Sequence, residues 1–334
     1  MSAAKDCTIV AYPIGREDQE FTFSALFSSS TGYVLPTLKL QINRTEDRMT
    51  AAPDIYDCAN DRKAKFEDIY NAPDPRNYYT TLRKLDYQIP TNAKPVFKQI
   101  IDLLEISGSI NVVDVGCSYG VNAAMLKYDL TFEELARRYV DVDMQEKSVA
   151  ETIIADKETF TAMPEKIDAS FVGLDVAAEA AGYADAVGLL ENAVVENLET
   201  TPLSPIGANA LKSANLIITT GAVGYVGADT FSSIMDAAKS EPPWIAAFVL
   251  RQFPFESIAD ALTGYDLATE RLPDTTFVQR RFRDEAEQEG AIEAVRAAGL
   301  DPEGFETEGF FHAELYLARP KSRIAALIGE LGLT

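Results

Sequence analysis

The chain is predicted to fold as a doubly wound α/β domain around a mostly parallel sheet, and two observations carry that expectation. From Asn111 onward, short apolar runs rich in β-branched residues alternate with helical stretches. The runs themselves, NVVDV (111–115), SFVGLDV (170–176), AVVENL (193–198), NLIITT (215–220) and WIAAFVL (244–250), are largely uninterrupted. Strands of that kind are buried on both faces by crossover helices.

Residues 1–50 precede this pattern. They hold the β-prone stretches TIVAYPI (8–14), FTFSALF (21–27) and YVLPTLKLQI (33–42), separated by Gly, Ser and acidic residues, which suggests a β-rich N-terminal extension. Residues 51–105 read as helical. Prolines in APDP (72–75) and at Pro90 divide that segment into two or three helices, placed as a lid. The main domain then spans 106–320, with a helical insertion at 129–167. A loop of about 40 residues must carry structure of its own. Here TFEELARRY (131–139), with Thr131 and Glu134 spaced as a capping box, and SVAETIIADKETF (148–160) read as two helices, serving as a homodimer contact or a pocket wall. The domain closes with a helix over 282–299, a short strand near Phe305, a turn at Glu308 and Gly309, and a final strand FFHAELYLA (310–318). The last two make an antiparallel pair at the sheet edge, and 321–334 forms a C-terminal helix or tail.

Composition removes several functional classes. Thirty Lys and Arg against 52 Asp and Glu leave a net charge of −22, which repels nucleic acid from most of the surface. No apolar stretch approaches the ~20 residues that span a bilayer, and MSAAKDCTIV lacks the pattern of a signal peptide, so a cytoplasmic protein is expected. Cys7, Cys58 and Cys117 are too scattered for a disulfide framework or a zinc site. His312 is the single histidine, which excludes metal sites with two or more His ligands. No metal is expected.

The most specific chemical feature is VVDVGCSYG (112–120). Gly116 and Gly120 let the chain turn sharply from strand to helix, and Asp114 stands at the strand end two residues before Gly116. A dinucleotide site would show GxGxxG and usually no acid there. This spacing resembles the first motif of class I S-adenosylmethionine-dependent methyltransferases, with Ser118 where many members have a middle glycine. Three further pieces follow in the family's order. GLDVAAEAAGYA (173–184) resembles the second motif, which implies that Asp175 accepts hydrogen bonds from the ribose hydroxyls of S-adenosylmethionine. VVENLETTPL (194–203) resembles the third, placing Asn197 at the adenine amino group and the Leu198 backbone at a ring nitrogen. SANLIITTGAVGYV (213–226) resembles the fourth, with Thr219, Thr220 and Gly221 facing the methyl group. The resemblance covers roughly residues 95–320 and implies a seven-stranded Rossmann-like sheet.

Absences narrow the subclass. Thr219-Thr220 occupies the place of the metal-binding Asp of catechol methyltransferases, TTGAVGY lacks the Asn-Pro-Pro-Tyr run, and no cysteine follows a proline. What remains is a metal-independent enzyme that methylates O, N or C of a small molecule. In such families the segment before the first strand often crosses the cofactor. Tyr70 is therefore expected at S-adenosylmethionine and Tyr78 and Tyr79 at the acceptor, with packing as the competing role. His312 is the candidate base if its turn lies on the carboxyl rim of the sheet. Two alternatives stand beside methyl transfer. One is internal displacement or aminocarboxypropyl transfer at the same site, releasing methylthioadenosine. The other is an NAD-dependent reductase or a non-catalytic binding protein sharing the topology.

Overall fold

The computed structural model describes residues 67–238 and 241–333. The β-rich extension expected over 1–50 and the first part of the helical segment lie outside them. Eight strands form one sheet: β1 (Ile110–Val115), β2 (Ala169–Leu174), β3 (Asn192–Val194), β4 (Leu216–Thr220), β5 (Trp244–Leu250), β6 (Leu267–Arg271), β7 (Phe277–Arg281) and β8 (Phe310–Pro320). Their order is β3-β2-β1-β4-β5-β8-β6, with β7 also on β8. The first five strands pair in parallel, while β8 runs antiparallel to β5 and to β6 and β7. The order reverses between β1 and β4, so a crevice opens outside their carboxyl ends, where doubly wound sheets bind ligands.

The five apolar runs become β1 to β5, as their burial demands: every residue of β2 and β5 is buried. The third run shortens to three residues, Asn192–Val194, in β3. The far edge differs from expectation. No strand forms near Phe305; that region is a 3-10 turn at Glu306–Glu308, released into β8 by Gly309 at φ 93°. The outer partners of β8 come instead from LATER and FVQRR, with Arg271 opposite Tyr316 and Phe277 opposite Ala313. They occupy one strand position in two pieces, because Pro273 lacks a backbone donor and Asp274 adopts φ 51°. Such half-buried edge strands carry charged residues and no apolar run.

The insertion does fold as helices, Phe132–Val140 and Val149–Ala162, with a short turn of helix Val142–Gln145 between them. Capping boxes start both longer ones, Thr131 with Glu134 and Ser148 with Glu151. Their position matters for the site because they support the helix Arg76–Lys84. Tyr79 stacks on Tyr139 at 4.6 Å, and Arg83 pairs with Glu133. The Arg76 guanidinium donates to the carbonyls of Met144, Gln145 and Lys147. Beneath, the buried Asp156 accepts from Arg138 and from the hydroxyls of Tyr139 and Tyr183. The second helix of the cap, Ile89–Leu103, starts with Pro90 in its first turn, where a missing N–H costs no hydrogen bond. After β8 the chain makes two 3-10 turns, Lys321–Arg323 and Ile328–Glu330, rather than a helix. No described helix is long and apolar enough to cross a membrane.

Candidate functional site

A cavity of about 750 Å³ opens at the carboxyl ends of β1, β2, β3 and β4 and is covered by the cap helices. Its floor is the turn after β1. Gly116, Ser118 and Gly120 take φ 75°, 47° and 73°, the left-handed region that makes a sharp strand-to-helix turn and that serine adopts only under strain. Gly116 is required by packing as well: a Cβ there would stand 2.6 Å from that of Ala222. Three N–H groups of this turn are already committed. Gly116 donates to Leu174, Gly120 to Cys117, and Ser118 to Asp175 Oδ2 at 2.8 Å.

Asp175 stands at the tip of β2 with its other oxygen on the Ala177 N–H at 2.9 Å. Burial raises its pKa, opposed by the N–H groups of Ala177, Ser118 and Val176. A carboxylate has about four lone-pair directions, so both oxygens retain capacity for two ligand hydroxyls. Val176, which is 64% exposed, and Leu198 are apolar residues of the same cavity lining. The β3 loop is tied down by its own acids. Glu196 holds Ser204, and Glu199 Oε1 receives the N–H groups of Gly227 and Thr230 and the Thr230 hydroxyl. Asn197 Oδ1 takes the Glu199 N–H at 3.1 Å.

The opposite wall is aromatic. Tyr70, Tyr78 and Tyr87 line it from the cap, Tyr225 from the loop after β4, and Gln279 and Arg280 from β7. Tyr70 meets Tyr78 edge-on at 5.5 Å, and Tyr78 meets Tyr87 at 6.5 Å. Burial pushes the phenols of Tyr70 and Tyr78 well above the usual range, and that of Tyr87 up to about 12. All three stay protonated at neutral pH. Arg280 is 2% exposed and pairs through both terminal nitrogens with Glu287, at 2.9 and 2.7 Å, so its charge is balanced inside the wall. Two ties hold the cap over the cavity. The Tyr119 hydroxyl accepts the Ala72 N–H at 2.9 Å and reaches the carbonyls of Ile69 and Ala72, and Asn71 Oδ1 accepts the Glu179 N–H.

Of the residues singled out by sequence, Tyr70, Tyr78, Gly116, Ser118, Asp175, Asn197 and Leu198 line this cavity together. Asp114, Gly120 and Thr219 lie behind the lining. Asp114 is fully buried; burial raises its pKa to about 7, against the Asn122 amide that donates to Oδ1. Asn122 also reaches the Thr220 hydroxyl at 3.2 Å, so at the end of β4 it is Thr220 that faces the cavity. Two residues expected at the acceptor are elsewhere. Tyr79 points into the insertion, between Phe132 and Tyr139. His312 does reach the carboxyl rim, its carbonyl receiving the Arg251 N–H, yet it does not line the cavity. Its Nδ1 contacts the Thr276 hydroxyl at 3.1 Å and its ring meets Phe305 edge-on. Burial, with Arg251 nearby, lowers its pKa to about 4. Sequence reasoning passed over Gln279 and Arg280. Their strand, FVQRR, is a short edge piece of two apolar and three polar residues, and that pattern announces no site.

Neither a protein-family model nor a curated protein matches the chain. Among solved structures it is similar to the plantazolicin methyltransferase in complex with a triazolic desmethyl analogue and S-adenosylhomocysteine, at 10% identity and TM-score 0.42 over 80% of this chain and 98% of that one. It is also similar to geranyl diphosphate C-methyltransferase from Streptomyces coelicolor, at 13% identity and TM-score 0.36 over 81% and 99%. A third is precorrin-6y C5,15-methyltransferase from Geobacter metallireducens, at 10% and 0.32 over 67% and 86%. At such distances the reading of the site rests on its own chemistry.

Proposed function

We propose that this cavity binds S-adenosylmethionine and that the protein transfers its methyl group to a small-molecule acceptor. The observation that carries the proposal is the arrangement around Asp175. A carboxylate at the tip of β2 keeps capacity for two hydroxyls, and the apolar residues Val176 and Leu198 line the same cavity. The glycine turn favours this ligand over a dinucleotide. With the N–H groups of Gly116, Ser118 and Gly120 committed within the protein, they offer no nest for a pyrophosphate. Asp175 and Glu196 in the cavity lining suit a sulfonium cation instead.

In this reading Asp175 holds the ribose, Asn197 and the Leu198 backbone meet the adenine edge, Gly116 and Ser118 form the floor, and Thr220 with Gly221 borders the methyl position. The sulfonium supplies a methyl group on an excellent leaving group. The chain's own contribution is therefore orientation and exclusion of water by the cap. No lining histidine serves as base. Among the described residues no cluster of three His, Cys, Asp or Glu is placed to hold a metal ion, and the reaction proposed needs none.

Calorimetry tests the reading. S-adenosylhomocysteine is expected to bind, and Asp175→Ala to weaken it by about 2 kcal/mol or more through loss of charge-assisted hydrogen bonds. Binding of NADH in its place would overturn the assignment.

A further inference from the structure

We infer that the acceptor presents a carboxylate to the methyl group, held by the Thr220 hydroxyl and the Gln279 side-chain amide, so that the product is a methyl ester. The inference rests on the methyl-transfer reading above and narrows it.

Thr220 ends β4 and lines the cavity, half-buried. A threonine hydroxyl has one proton and two lone pairs, and the wall behind it fixes which of these the cavity receives. Asn122 lies in the first turn of the helix Val121–Tyr128, between two oxygens. Its amide nitrogen donates to Asp114 Oδ1 at 3.1 Å and to Thr220 Oγ1 at 3.2 Å. The buried carboxyl thereby holds the amide in the orientation that makes Thr220 an acceptor toward the wall. Among the described residues nothing accepts the Thr220 proton in return. The hydroxyl therefore donates into the cavity.

Gln279 supplies a second donor. The pairing of β7 with β8 passes from Val278 to Arg280 without it, and its main-chain carbonyl receives the Gln88 N–H at 2.7 Å, which ties it to the cap. Its amide is divided between two surroundings. Oε1 is buried inside the wall. Nε2 stands against Gly221, so closely that a Cβ on Gly221 would collide with it, and both residues line the cavity. Gly221 directly follows Thr220, so an O–H and an N–H donor border the place where the methyl group is transferred.

Two such donors select lone pairs. An ammonium group would set N–H against N–H, whereas a carboxylate, with two oxygens and about four lone-pair directions, accepts both donors and keeps a lone pair for the methyl carbon. Carboxylic acids are already ionised at neutral pH, so no proton is moved. The oxygen lone pair forms the O–C bond as the C–S bond breaks, the electron pair of that bond stays on sulfur, and a neutral ester leaves beside a neutral thioether.

Analogues of S-adenosylmethionine in which a protonated tertiary amine replaces the sulfonium test this without knowledge of the natural acceptor, because the third substituent on that nitrogen reaches where the acceptor lies. Three are titrated by calorimetry, carrying methyl, carboxymethyl or carbamoylmethyl. The last two are alike in size and differ in one oxygen exchanged for an NH2 group. The wild type is expected to bind the carboxymethyl analogue about tenfold tighter than the carbamoylmethyl one, against the repulsion of a chain with net charge −22. Thr220→Val and Gln279→Met are each expected to remove most of that preference and to leave the methyl analogue unchanged within twofold. Thr220→Ser, which keeps the hydroxyl, is expected to retain it. Equal affinity for the two larger analogues in the wild type, a preference that survives both substitutions, or equal losses for the methyl and carboxymethyl analogues would overturn the carboxylate assignment. A wild type that binds neither the methyl analogue nor S-adenosylhomocysteine would instead remove the methyl-transfer reading on which it stands.

Discussion

The two halves of the cavity are built in opposite ways. The half at the ends of β1, β2 and β3 is a matter of backbone: left-handed turn residues, N–H groups already engaged, and one carboxylate locked between Ser118 and Ala177. The other half is made of side chains from three distant stretches, Tyr70 to Tyr87, Gly221 to Tyr225, and Gln279 with Arg280. The first half satisfies most of its polar groups internally and suits a constant ligand. The second leaves the Gln279 amide nitrogen to a ligand and suits a particular one. The difference separates a floor fixed by backbone from a wall assembled from three segments distant along the chain.

The largest expected effect breaks the far wall alone. Glu287→Ala removes the carboxylate that balances the buried Arg280 charge and should cost about 3–5 kcal/mol of stability in a urea titration. Below the unfolding transition, affinity for S-adenosylhomocysteine should stay within threefold. A fall as deep as that of Asp175→Ala would mean that the halves act as one unit.

A smaller effect belongs to the floor and depends on pH. Asp114 has a folded-state pKa raised to about 7 by burial, above its unfolded value. Its contribution to stability is therefore fully present below the unfolded pKa and is lost as pH rises through about 7. Asp114→Asn keeps an oxygen for the Asn122 amide and removes the ionisation. The variant should gain on the order of 2–4 kcal/mol at pH 8 and less than half of that at pH 5. Urea midpoints at the two pH values would show it, and a difference independent of pH would mean that the carboxyl ionises without penalty.

The smallest effect concerns the tie between the halves. Tyr119→Phe removes the hydroxyl that receives the Ala72 N–H and should cost about 1 kcal/mol, with faster hydrogen exchange at Ala72 in mass spectrometry. Unchanged exchange would show that the other cap contacts hold this segment without the Tyr119 hydroxyl.

What could be read in advance follows from range. The strands β1 to β5 were legible because a strand covered on both faces must be apolar throughout. The two insertion helices were legible because Thr131 and Glu134 reach each other within one turn. Asp175 was singled out through the resemblance of GLDVAAEAAGYA to a methyltransferase motif, which implied an acid at the tip of the second strand. The edge pieces β6 and β7 were not, since half-buried strands with charged residues resemble loops. Tyr78 and Tyr79 illustrate the limit. Adjacent helical residues point about 100° apart, so only one can face the cavity, and nothing local says which. Packing of Tyr79 on Tyr139 decides it.

By itself, then, the sequence determined the parallel core, the glycine turn and the carboxylate at its rim, all of which depend on neighbours along the chain and on the burial of single strands. Only the tertiary structure decided that Tyr79 and His312 leave the site and that Gln279 and Arg280 enter it. These placements depend on which surfaces of the cap, the insertion and the split edge strand pack together, and contacts between segments tens of residues to some two hundred residues apart leave no periodic signal in either one.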